Sequence, residues 1–91
     1  MGLYRIPIKQ EMVEKIPDLI RASGIAIVRI TNDGAATYYW YTYPIRPNKE
    51  YAFWITSPSD GKVPYLMIGM GRRANEMLKL LRAAGVFCES T

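Results

Sequence analysis

The chain has 91 residues, 49% of them hydrophobic and 22% charged, which suits one folded domain over 1–91 and excludes a disordered tract. Twelve Lys and Arg against eight Asp and Glu leave a net charge of +4, a balance that suits a polyanionic partner. Histidine is absent and Cys88 is the single cysteine, so zinc clusters, intramolecular disulfides and Cys–His or Ser–His catalysis lose their principal residues.

No cofactor is expected on these grounds, and Asp18, Asp33 and Asp60 sit where capping or turns account for them, so no acid–base pair argues for an enzyme. No apolar run approaches the roughly 20 residues of a bilayer crossing. Met1 to Pro7 shows neither a signal-peptide core nor a myristoylation pattern, and a cytoplasmic protein is expected. Few Gln, one Cys, no His and many Ile fit a heat-adapted source.

Residues 3–8 alternate weakly and read as an edge strand or arm, with Pro7 keeping them out of a sheet centre. From Lys9 the period becomes helical. Met12, Val13, Ile16, Leu19 and Ile20 fall on one stripe, with Glu11, Glu14, Lys15, Asp18 and Arg21 opposite. Pro17 removes a hydrogen bond to Val13, so the spacing predicts a kink or a second short helix with Pro17 in its first turn. Gly24 closes it.

Residues 25–30 form an apolar strand interrupted by Arg29, and Asn32-Asp33-Gly34 then turns the chain. A three-residue loop with a left-handed Gly34 predicts Ile30 opposite Ala36, Val28 opposite Tyr38 and Ala26 opposite Trp40. That register puts Tyr38 and Trp40 in the core and Arg29, Thr37, Tyr39, Tyr41 and Tyr43 on an open face. A two-residue Asp-Gly turn slips the pairing and exchanges the roles of the tyrosines.

Pro44 to Glu50 reads as a stiff connection with Arg46 and Lys49 at its tip. Tyr51-Ala52-Phe53-Trp54-Ile55-Thr56 is the next strand, 57–62 a polar loop, and 63–68 a fourth strand. Gly69-x-Gly71-Arg72-Arg73 opens a final helix over 72–84 with the stripe Ala74, Met77, Leu78, Leu81 and Ala84. Arginines in a first turn oppose the helix dipole, and an anion held between them and the free amides compensates. Val86-Phe87 docks as a last strand or against a second subunit. The fold expected is α+β: an antiparallel sheet of three to five strands, two main helices and an aromatic-rich central hairpin.

Every base has a π-face and every link a negative charge, so aromatics interleaved with cations suit a single strand of nucleic acid. Tyr39, Tyr41, Tyr43 and Trp54 are the expected base platforms, and Arg29, Arg46, Lys49, Arg72 and Arg73 the phosphate contacts. The alternative from another class is a protein-interaction or oligomerisation module that uses the same tyrosine-rich face.

In order of elements, and in Tyr38 to Tyr43, Phe53, Trp54 and Arg72-Arg73, the chain resembles the small archaeal single-stranded DNA-binding proteins of the Thermoproteales type. The resemblance implies a small sheet packed with helices, aromatic and basic side chains holding a single strand, and assembly into dimers or tetramers. It also implies bases held in a cleft between sheet and helix, which leaves open which side of the hairpin binds. A homo-oligomer is expected independently, because two helical stripes and Phe87 are more apolar surface than one small core hides.

Overall fold

β-branched and aromatic residues favour a pleated, half-buried surface, and five such segments pair here into one antiparallel sheet. The computed structural model describes residues 2–57 and 61–88. The strands are β1 (Leu3–Pro7), β2 (Ala26–Asn32), β3 (Ala36–Tyr43), β4 (Arg46–Thr56) and β5 (Tyr65–Gly69), in the spatial order β1-β5-β4-β3-β2. Two helices, α1 (Ile16–Ala22) and α2 (Arg72–Ala83), complete an α+β architecture. The first strand is an edge, where Pro7 is tolerated. Of the polar loop expected over 57–62, residues 58–60 lie outside the described residues.

The helical segment divides at the proline. A short 3₁₀ helix, Gln10–Lys15, leads into α1, where Pro17 occupies the first turn and its missing N–H has no intrahelical partner to lose. Gly24, at φ 84°, then releases the chain into β2. In α2 the 3.6-residue period turns Ala74, Met77, Leu78 and Leu81 inward, and all four are buried.

Both helices pack on one side of the sheet. Ile16 and Ile20 of α1 join Met77, Leu78 and Leu81 of α2 against Phe53, Ile55, Leu66 and Ile68. Each such side chain contributes about 1.5–3 kcal/mol when taken from water. Phe87 forms a bridge to Ile8 and is also buried in this core. Of the two helical stripes, Ile16, Ile20, Ala74, Met77, Leu78 and Leu81 are buried within the single chain, whereas Met12, Val13, Leu19 and Ala84 are half-buried.

The first hairpin departs from the expected register. Asn32 lies opposite Thr37, Thr31 opposite Tyr38, Ile30 opposite Tyr39 and Arg29 opposite Trp40. Hydrogen bonds from the turn explain the slip. The N–H groups of Ala35 and Ala36 both donate to Asp33 Oδ1 at 2.9 Å, Gly34 N–H donates to Asn32 Oδ1 at 2.8 Å, and Asn32 Nδ2 reaches Thr37 Oγ1 at 2.7 Å. These side chains take up turn amides that the shorter loop needs elsewhere, and Gly34 at φ 88° supplies the left-handed residue. An odd slip sends every side chain of β3 to the other side. Tyr39, Tyr41 and Tyr43 are consequently in the core, at 6%, 1% and 7% exposure, and Tyr38 and Trp40 are on the opposite side.

The connection after β3 is also shorter than its proline content suggests. Tyr43 pairs with Arg46 across a turn at Pro44 and Ile45, and β4 already begins at Arg46.

Candidate nucleic-acid interface

Alternation along the strands leaves the second side of the sheet with a chemistry of its own. Tyr38 and Trp40 from β3, Trp54 from β4, and Tyr65 and Met67 from β5 are half-buried there, and no helix covers them among the described residues. Register lines up one row across all five strands: Arg5 opposite Met67, Met67 opposite Trp54, Trp54 opposite Tyr38, and Tyr38 opposite Thr31. At about 4.8 Å per strand, the row extends over about 19 Å.

Two guanidinium groups bracket this row from the edge strands. Arg5 of β1 stacks on Tyr65, 3.6 Å from the ring centroid, and Arg29 of β2 lies 4.5 Å above the Trp40 ring. Between them Tyr38 and Trp54 sit side by side with centroids 5.8 Å apart and planes inclined by 31°. Tyr38 also donates to Asp33 Oδ2 at 3.3 Å, and the Asp33 charge raises the pKa of its hydroxyl. The two amides it accepts hold the Asp33 carboxyl below its ordinary value. Trp40 Nε1 is buried and has no hydrogen-bond partner among the described residues.

Of the side chains expected to stack on bases, Trp54 alone is on this face. Tyr39 stacks on Phe53 at 5.1 Å and Tyr41 on Tyr51 at 5.9 Å, inside the core. Tyr43 meets Tyr41 edge-on at 5.7 Å and donates its hydroxyl to the Arg73 carbonyl at 2.9 Å. Burial pushes the hydroxyls of all three above the ordinary tyrosine value, Tyr41 furthest. Those rings pack between the helices and the sheet, in the core rather than on an open platform. The same burial removes them as an oligomerisation face.

The expected cations divide between two places. Arg29 is on the helix-free face. Lys49 approaches the Tyr51 ring at 6.0 Å on the helix side, Arg46 is opposite Tyr43 at the hairpin end, and Arg72 and Arg73 begin α2. There Tyr41, Tyr51, Ile68, Met70, Arg72 and Arg73 line a cavity of about 470 Å³ between the sheet end and α2. Arg73 is already engaged, donating to both Glu76 carboxylate oxygens at 3.0 and 3.1 Å. That pair offsets within the helix the conflict between an N-terminal arginine and the dipole.

Tyr38, Trp40, Tyr65 and Arg5 were not expected in the site. Tyr38 and Trp40 follow from the turn chemistry of Asp33. Arg5 is distant in sequence and arrives only through the pairing of β1 with β5. Compared with family models, with curated proteins and with solved structures, the chain matches none.

Proposed function

We propose that the chain binds single-stranded nucleic acid across the helix-free face of its sheet, as a binding protein of the cytoplasm with little sequence preference. The observation that carries this reading is the transverse row from Arg5 through Met67, Trp54 and Tyr38 to Thr31, with guanidinium groups at Tyr65 and Trp40. Half-exposed rings on a sheet offer π-faces to unpaired bases, which a duplex keeps stacked on one another. Tyr38 and Trp54 take bases, and Arg5 and Arg29 take phosphates. Stacking accepts any base, which accounts for weak sequence preference.

An anisotropy titration with labelled single-stranded and duplex oligonucleotides tests this, with Trp54→Ala as the site variant. Preference for the single strand, lost in the variant, supports the reading. Binding of neither oligonucleotide by the folded protein assigns the face to a protein partner instead, since aromatics and Arg are also enriched at protein interfaces.

A further inference from the structure

Arg29 does more on this face than wait for a phosphate. It is on edge strand β2, opposite Trp40 of β3, and its Nη2 lies 3.5 Å from Glu50 Oε1 on β4. The side chain therefore crosses the neighbouring strand, with its guanidinium carbon 4.5 Å above the Trp40 ring, to reach an anion two strands away. Ring, cation and carboxylate form a stack with a lateral tie, and the ring face a base would need is the face Arg29 occupies.

We infer that Glu50 stands in for a phosphate in the free protein, holding Arg29 across Trp40 so that only a phosphate-bearing strand opens this platform. The inference rests on the nucleic-acid reading above. A phosphodiester presents the guanidinium fork with a delocalised anion like that of a carboxylate, and so competes with Glu50 for the same donors. A neutral aromatic ligand has no anion to offer and leaves the tie closed. Tyr38 and Trp54 stay open throughout, so a strand docks there first and gains Trp40 when one of its phosphates draws Arg29 aside. Arg29 and Glu50 side chains are 51% and 49% exposed, so water already weakens their attraction and the exchange is an easy one.

Four proteins test it: wild type, Glu50→Gln, Arg29→Gln and the double variant, each checked by circular dichroism for an unchanged fold. Glu50→Gln is expected to bind a single-stranded oligonucleotide about two- to fivefold more tightly, the range an exposed ion pair corresponds to. That gain should vanish in the Arg29→Gln background. In two further proteins built on Trp54→Phe, where Trp40 is the one tryptophan and is excited at wavelengths tyrosine does not absorb, Glu50→Gln should raise acrylamide quenching of its fluorescence. Unchanged quenching overturns the inference, as does equal or weaker binding by Glu50→Gln. A gain that persists without Arg29 also overturns it, because Glu50 is then only a repelling charge. Failure of all four proteins to bind refutes the nucleic-acid reading itself, whereas binding by wild type with no gain in Glu50→Gln refutes the inference alone.

Discussion

Tyr38 and Trp54 face one another across the β3–β4 pair, 5.8 Å between ring centroids, on the side of the sheet away from α1 and α2. One residue along each strand, Tyr39 and Phe53 repeat the arrangement at 5.1 Å on the side that both helices cover. Adjacent positions of the same hairpin thus serve a surface and a core, and substitutions at the two should have separable effects.

Replacing Tyr41 by Ala, at 1% exposure and against Tyr43, Tyr51 and Phe53, should cost about 3–5 kcal/mol of stability through lost transfer energy and a residual cavity. Trp54→Ala, on the open face, should cost about 1–3 kcal/mol of single-strand affinity with a smaller loss of stability. Urea unfolding and anisotropy on the same preparations measure both. An interchange of the two phenotypes would place Tyr41 on the binding surface.

Alkali should open the fold rather than titrate the buried phenols in place. Tyr39, Tyr41 and Tyr43 have folded pKa values raised above their unfolded value of about 10, chiefly by burial. Their stabilising contribution is complete below that value and is lost as pH rises above it. Phenolate absorbance from these residues should therefore appear together with loss of far-ultraviolet circular dichroism. Ionisation of all tyrosines with the fold intact would contradict their burial.

Asp33→Asn should lower the melting temperature at neutral pH, because Asp33 accepts the Ala35 and Ala36 amides and so fixes the first hairpin. Its folded pKa is depressed, so the carboxylate stabilises above the unfolded value of about 3.9 and stops doing so as pH falls through the folded one. The difference between wild type and Asp33→Asn should narrow toward acid pH in paired thermal melts. A constant difference from pH 7 to pH 2 would rule out the charge as its source.

Single-strand affinity should fall with salt, with a log–log slope of about −1.4 for phosphates neutralised by Arg5 and Arg29. Arg5→Gln should make the slope shallower by about 0.7. A flat profile would mean that neither guanidinium meets a phosphate.

The helices were legible in the sequence because a 3.6-residue period sorts Met77, Leu78 and Leu81 from Lys79 and Arg82 without ambiguity. The antiparallel α+β class followed from the spacing of aromatic and β-branched runs. Which side of the hairpin faces outward did not follow, for a physical reason. Thr37-Tyr38-Tyr39-Trp40-Tyr41-Thr42-Tyr43 has large or β-branched residues at odd and even positions alike, so hydrophobic alternation cannot select an inner face. The selection fell to hydrogen bonds of Asn32 and Asp33 in a turn whose glycine admits several loop lengths. Residue type alone singles out Trp54 and Arg29, and the pairing sets both on the side of Tyr38 and Trp40. Glu50 had no sequence signal, since its partner is two strands away.

The ladder of β2 skips a residue between Ile27 and Arg29, and Val28, the residue left over, is 48% exposed on an outermost strand. A chain lacking Val28 would keep Ile27 opposite Tyr41 and Arg29 opposite Trp40, so its interior would be untouched. Its outer backbone would become a regular row of free amides and carbonyls, the template that aggregating strands add to. The irregularity therefore favours colloidal stability rather than conformational stability: without it, the protein should melt at much the same temperature and precipitate far sooner.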